Sequence, residues 1–326
     1  MKVRIDANTY YLPENKESNE SLNLDNPEWD MEKISDKTGI FTRAISSPNQ
    51  TALDLAFEAG SKLLKDLPNK NDIELVVMVT QSPDYILPTS ACILQNRLGL
   101  SKNCMSFDIN LGCSGFIYAL SVVGSLIETG VIKNGLIMCS DTYSKYIDKN
   151  DRTCRPIFSD GASATLLVQS DIDDMGPFVF GTDGSGYEKL IVREGGAREP
   201  IIKSNSPYGV IEMHGADVFL FTLREVPLCI NNLLLKSHLN IKDIDLFIFH
   251  QASKLVLENL IRSLSLDEDK VFNNLRDIGN TVSASIPIAL KDAEEQGRIN
   301  NEDLVMLIGF GVGLSWGATL LNWRDV

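Results

Sequence analysis

The feature that most constrains this chain is a spacing. A continuous apolar run at residues 73–80 (IELVVMVT) follows a helix-patterned stretch at 52–67, and a second run at 244–250 (IDLFIFH) follows another at 222–235. Runs that are apolar throughout and end in polar residues mark strands covered on both faces. Their last residues, Thr80 and His250, lie 170 positions apart, and the offset recurs: Ala119-Leu120 matches Ala289-Leu290, and Leu136-Ile137-Met138 matches Met306-Leu307-Ile308. Beyond that point the offset drops to 154, with 164–167 (ATLL) matching 318–321 (ATLL), so the first copy holds about 16 additional residues between Asp141 and Asp160. Short apolar matches arise by chance. One offset held across helix and strand argues instead for internal duplication, against two unrelated α/β segments that coincide. The reading is α/β: two halves of similar topology, residues 1–170 and 171–326, with their sheets buried between helices. In such folds sites collect at the carboxyl ends of strands. Thr80, His250, Cys113 and the glycine loop at 309–313 all lie at or just after those ends.

Composition narrows the function classes. The 326 residues are 44% apolar and 23% charged, with 30 basic against 44 acidic side chains and a net charge of −14. A nucleic acid or an anionic membrane would need a basic face, so neither is expected as the main partner. The opening MKVRIDANTYYLP lacks the apolar centre of a signal peptide. The longest apolar stretch, at 115–127, is too short to span a bilayer and reads as a buried helix. The six cysteines form no CxxC pair and mostly sit in apolar segments, as free thiols would in a reducing compartment, so the cytoplasm is expected.

Three residues stand out chemically. Of three histidines, His238 lies in a polar connection (KSHLN), and His214 (EMHGADVF) precedes a helix as a packing or capping residue. His250 ends the run Phe247-Ile248-Phe249, so a rigid strand delivers its ring, as either a core residue or a catalyst. Cys113 lies between Gly112 and Gly115 in DINLGCSGFIYAL, where a strand turns into an apolar helix. A thiol there feels the positive end of the helix dipole, which favours thiolate, although buried cysteine is also a common small hydrophobe. Asn280 (RDIGNTVSASIPIAL) lies in the matching loop of the second copy, where the 170 offset pairs Cys113 with Ser283; Gly-Asn-Thr is equally good turn chemistry.

Together these segments resemble the thiolase-fold condensing enzymes, and specifically the β-ketoacyl-acyl-carrier-protein synthase III family. The resemblance runs through YLPE, TGIFTR, QSPDYILPTSA, LGCSGF, FSDGASATLL, MHGADVFLFT, HQAS, GNTVSASIP and GFGVGLSWGA, and so covers essentially the whole chain. It implies a layered α-β-α-β-α thiolase-like fold and a homodimer. It implies that Cys113 takes an acyl group from acyl-CoA, and that malonyl-carrier protein then loses CO2 and condenses with it. His250 and Asn280 would hold the enolate oxygen, and the backbone N–H groups of Cys113 and Val312 the tetrahedral oxyanion. No metal or organic cofactor is implied, because CoA and phosphopantetheine thioesters are themselves substrates. Degradative thiolases carry a second cysteine in the last glycine loop, which GFGVG lacks, and hydroxymethylglutaryl-CoA synthases carry a glutamate where this chain has Gln81. Chalcone synthases share the triad but are usually longer.

The chain also departs from the family pattern. Val312 interrupts the three glycines of the last loop, next to Gly311, and Trp29, ten residues before Gly39, is poorly placed to stack on adenine. Arg152 matches an arginine that faces the CoA nucleotide, and Leu87 matches a position closing the acyl pocket across the dimer interface. HQAN reads HQAS, and the carrier-docking arginine is Leu255, which leaves Lys254 and Arg262 as candidates or as ordinary solvated residues. The loop at 192–210 shapes a pocket whose form no pattern fixes. Two other readings are an acyltransferase acting on an alcohol or amine, and a non-catalytic chain-length partner, against which the retained Cys113, His250 and Asn280 argue.

Overall fold

The computed structural model describes residues 1–65, 67–204 and 206–324. The first sheet is built from β1 (Val3–Tyr11), β2 (Leu75–Val79), β3 (Met105–Ile109), β4 (Asn134–Asp141) and β5 (Gly161–Gln169), in the order β1-β5-β4-β2-β3. The second sheet contains β6 (Met175–Thr182), β7 (Leu246–Phe249), β8 (Leu304–Gly311) and β9 (Ser315–Asn322), in the order β7-β8-β9-β6. In each sheet a parallel pair (β2 with β4, β7 with β8) is followed by an antiparallel pair (β4–β5, β8–β9) and closed on that side by an antiparallel edge strand (β1, β6); in the first sheet β2 is also parallel to β3. β4 and β8 begin and end 170 residues apart, as the sequence offset requires. The expected strands are shorter than their apolar runs. The expected helices at 52–67 and 222–235 are Ala52–Leu64 and Gly215–Ser237: the first starts as expected behind Thr51 and stops sooner, and the second starts seven residues earlier.

Helices supply the other layers. α1 (Ala52–Leu64), opened by a Thr51/Asp54 capping box, and α2 (Ser90–Leu98) cover the outer face of the first sheet. α4 (Gly215–Ser237) and α5 (Lys254–Leu264) cover the second. Between the sheets lie α3 (Gly115–Glu128) and α6 (Ser285–Glu295), each touching strands of both. The principal core, with Phe116, Ile117, Leu120, Val123, Ile286 and Leu290 at its centre, is therefore made by both copies. α4 is long and apolar enough to cross a bilayer by length and composition. Here it lies along the second sheet and buries Phe221, Val226, Cys229, Ile230 and Leu233.

The copies differ mainly where the sequence offset breaks. Residues 312–314 join β8 to β9, whereas 142–160 join β4 to β5. That longer connection lies over the strand ends, with Tyr143, Cys154 and Phe158 buried in a cluster that includes Cys113.

Candidate active site

Cys113 lies on the turn between β3 and α3, one residue before the N-cap Ser114. The glycines around it are demanded by close approach. A methyl group on Gly112 would lie 2.5 Å from Gln81 Oε1 and 2.9 Å from Val312 Cγ1, and Gly115 is pressed onto the Val79 side chain. From the other side, a methyl on Gly311 would lie 3.0 Å from Cys113 Cβ and 3.1 Å from Sγ, and one on Gly309 2.8 Å from the Cys113 carbonyl oxygen. Ser315 donates to the Val312 carbonyl at 2.8 Å, which leaves Ser114 as the donor in the 2.8 Å Ser114–Ser315 hydroxyl pair. The glycine loop is thereby tied to the cysteine turn.

His250 follows β7, anchored by its N–H to the Ile308 carbonyl at 2.7 Å, and its ring meets Phe310 edge-on. Its Nδ1 lies 2.6 Å from Ser285 Oγ. Burial pulls the imidazole down to about 3, so the ring is neutral at physiological pH. Asn280 is held by backbone bonds to both sides of Phe158: its N–H donates to Ile157 O at 3.0 Å, and its carbonyl accepts from Ser159 N–H at 2.8 Å. Its Oδ1 accepts from Val282 N–H at 2.9 Å, which fixes the amide orientation and turns Nδ2 toward His250 Nε2, 3.4 Å away. In the tautomer in which Ser285 O–H donates to Nδ1, Nε2 carries the ring proton. Two neutral N–H donors then stand side by side.

Cys113, His250 and Asn280 line one largely apolar cavity of about 320 Å³, together with Gly311, Phe158, Phe310 and residues of the α4 and α5 N-termini. Sequence reasoning found these three, and missed the groups that set them. Ser285, Ser114 and Ser315 are three, and Asp141 is a fourth. Its buried carboxylate accepts from Gln81 N–H at 2.8 Å and from the Ser283 N–H and O–H at 3.3 and 2.5 Å, and burial raises it to about 6. Ser283 is the duplicate of Cys113, so that position has become a tie between the halves. Nothing in local sequence distinguishes an Asp at a strand end from a solvated one.

One expectation is corrected, that of a thiolate, and the structure places the other predicted residues as follows. Burial, reinforced by the Asp141 carboxylate, pushes the Cys113 thiol well above its ordinary range, so the resting sulfur is a thiol despite the helix dipole. Val312 faces away from the main cavity and lines a second one, whose walls also include Gln81 and Tyr143. Leu87 is 80% exposed and lines neither. Trp29 is buried with Leu22 and Met31, leaving no face for a nucleotide. Arg152 is exposed beside Thr153, which touches the space above the cavity-lining Gly215. Lys254 is half-buried, packs its stem over Gly39 and lies 3.7 Å from Glu258, while its neighbours Ser253 and Leu255 line the cavity mouth. His214 holds the N-cap position of α4 without a side-chain cap bond, and His238 is an exposed C-cap. The loop at 192–210, apart from Asn205, which lies outside the described residues, closes on itself through Glu194, which accepts from Lys203 and Ser204 N–H.

A duplicated five-layer α/β fold, with a buried cysteine at the N-terminus of a central helix facing a neutral histidine–asparagine pair, is that of a thiolase-fold condensing enzyme. Comparison with known proteins gives the family. The profile described as 3-oxoacyl-[acyl-carrier-protein (ACP)] synthase III matches residues 107–184, and that of its C-terminal region matches residues 234–323. The chain is 37% identical over 319 residues to the β-ketoacyl-[acyl-carrier-protein] synthase III of Clostridioides difficile, covering 96% of each. A solved 3-oxoacyl-(acyl-carrier-protein) synthase III superposes with a TM-score of 0.95 at 39% identity, covering 99% of this chain and 100% of that one. The Pseudomonas aeruginosa 3-oxoacyl-(acyl carrier protein) synthase III gives 0.90 at 30%, covering 100% and 99%. The chain belongs to the β-ketoacyl-[acyl-carrier-protein] synthase III family, whose members are acyltransferases.

Proposed function

We propose that this chain joins an acyl-CoA primer to malonyl-acyl-carrier protein by decarboxylative Claisen condensation. Cys113 attacks the thioester carbonyl; the C–S bond to CoA breaks, and the thiol proton leaves with the CoA sulfur. Malonyl-carrier protein then enters, and its carboxylate departs as CO2. The bonding electrons pass to the thioester oxygen as an enolate, held by His250 Nε2–H and Asn280 Nδ2–H. The enolate carbon attacks the acyl-cysteine, the oxyanion is held by the backbone N–H groups of Cys113 and Val312, and collapse breaks the C–S bond to release β-ketoacyl-carrier protein and the Cys113 thiolate, which takes a proton from solvent. The single observation carrying this reading is the pair of neutral donors facing Cys113 across one apolar cavity. Neutral, pre-aligned donors in a water-poor site stabilise a developing oxyanion more than they stabilise the ground state. No metal or organic cofactor enters these steps.

The remaining residues take supporting roles in the same reading. Residues 1–170 bring the nucleophile and 171–326 the oxyanion donors. Gly311 admits the cysteine, Arg152 stands at the cavity rim for the CoA nucleotide, and Lys254 with Arg262 faces the carrier protein. Tyr85, Ile86 and Leu87, exposed at 60, 93 and 80%, form an apolar segment that a second copy of this chain would cover in a homodimer. The reducing cytoplasm suits a free nucleophilic thiol. Intact-protein mass spectrometry after incubation with acyl-CoAs tests the reading: a stoichiometric adduct absent from Cys113→Ala supports it, and CO2 release from malonyl-carrier protein should vanish in His250→Ala and Asn280→Ala. Acylation without decarboxylation in the wild type would sink the condensing step and leave transfer to an alcohol or amine.

A further inference from the structure

The acyl-enzyme must empty the main cavity, because His250 and Asn280 have to receive the second thioester there. The acyl chain on Cys113 therefore turns toward the other side of the cysteine. That side holds the second cavity, of about 350 Å³, which shares Leu190 with the first and is lined by Gln81, Asn110, Tyr143, Tyr146 and Val312 among others. Its wall residues Gln81, Val312 and Tyr143 pack around the cysteine turn. Gly112 is wedged between Gln81 Oε1 and Val312, and Tyr143 packs in the same buried cluster as Cys113.

This cavity is not furnished for a plain alkyl chain. Tyr143 is buried, and its hydroxyl donates to Gln81 Oε1 at 2.7 Å; Gln81 Nε2 in turn donates to Asn110 Oδ1 at 3.2 Å. The relay runs one way and leaves polar capacity along its length. The Tyr143 lone pairs, the second Gln81 N–H and the Asn110 amide N–H groups have no protein partner among the described residues, and Tyr146 O–H has none either. A hydrocarbon would strip water from these groups and return nothing, whereas a hydroxyl or carbonyl would pair with them. Among the described residues no lysine or arginine lines the cavity, so a carboxylate would be buried there without a counter-charge. We propose that the primer carries a neutral oxygen function, a hydroxyl or a carbonyl, on its acyl chain, and that Gln81, Asn110 and Tyr143 select it. This rests on the condensing reading above.

The test is competition for Cys113 between acyl-CoAs that differ by hydroxyl against methyl at one carbon. The 2-, 3- and 4-hydroxybutanoyl-CoAs are each paired with the methyl-substituted butanoyl-CoA of the same shape, and adducts are resolved by intact-protein mass spectrometry. The wild type should favour the hydroxylated member of at least one pair tenfold or more. Tyr143→Phe and Gln81→Met should each bring that ratio below threefold, and the phenylalanine variant keeps the proposal testable if the glutamine variant does not fold. Ratios within threefold in every pair, or preference for the methyl members, overturn the proposal while adduct formation leaves the condensing reading standing. Absence of any adduct, with no decarboxylation of malonyl-carrier protein, defeats that underlying reading and the proposal with it.

Discussion

Replacing Gly311 with alanine asks whether the sulfur is placed by contact alone. The new methyl would stand 3.0 Å from Cys113 Cβ and 3.1 Å from Sγ, inside the 3.5–4.0 Å of a relaxed carbon contact. The cysteine turn has little room to retreat. Gly112 already meets Gln81 and Val312 behind it, Gly309 seats against the Cys113 carbonyl, and the Ser114–Ser315–Val312 hydrogen bonds hold the two loops at a fixed separation. Overpacking of this kind costs about 1–3 kcal/mol of stability, a downward shift of a few degrees in Tm. The larger effect is on chemistry. The strain is relieved most easily by rotating Sγ away from the cavity, and a displacement of about 1 Å at a reacting atom lowers the rate on the order of 100-fold. Single-turnover acylation followed by intact mass, alongside thermal unfolding, separates the two effects. Acylation within threefold of wild type at an unchanged Tm would refute the argument, since the loops would then be free to part.

Other expectations follow from the same contacts. Arg43 is fully buried, donates to Asn19 Oδ1 and the Glu17 and Pro156 carbonyls, and lies 3.7 Å from the Glu17 carboxylate; Arg43→Met should cost about 3–5 kcal/mol by urea unfolding. Lys254→Glu should raise the KM for malonyl-carrier protein about tenfold at low salt, and less at high salt, with kcat little changed, as a rim charge does. His250 is held at about 3 against an ordinary 6.5, so the folded protein refuses a proton that the unfolded chain accepts. Its contribution is therefore complete above pH 6.5 and is lost as pH falls, by about 1.4 kcal/mol per unit down to about pH 3. The stability difference between the wild type and His250→Gln, followed against pH, should show that slope, and parallel curves would contradict it.

How much of this was legible in the sequence depended on whether a residue's task is local. The repeat was readable because β4 and β8 are buried on both faces, and burial forces an apolar run whatever else surrounds it. Cys113, His250 and Asn280 were readable because each ends a recognisable element and carries unusual chemistry for its place. Ser285, Ser315 and Asp141 were not. Their partners are 35, 201 and 142 positions away, and a serine or aspartate says nothing about its partner until the fold supplies one. The state of the thiol was misjudged for a related reason. A helix start is visible in sequence, but the depth of burial and the Asp141 carboxylate that oppose the dipole are not.

The duplication itself explains why the chain has one site and not two. Both copies present a strand end, a turn and a central helix in the same order, and the counterpart of Cys113 is Ser283. Two changes broke the symmetry. Ser283 now donates to Asp141, across to the strand of the other half, which spends its hydroxyl on joining the copies. The 142–160 connection, long in one copy and reduced to 312–314 in the other, lies over one set of strand ends and leaves the other set to a hairpin. Through Ile157 and Ser159 that connection also grips the backbone of Asn280, a residue of the opposite copy. The extra residues of the first half thus position a donor of the second, and the same stretch walls both cavities with Phe158 and Tyr143. Shortening the connection would remove one wall of each cavity and release Asn280 together, so the shape of both cavities and the placement of the Asn280 amide are coupled through a single segment.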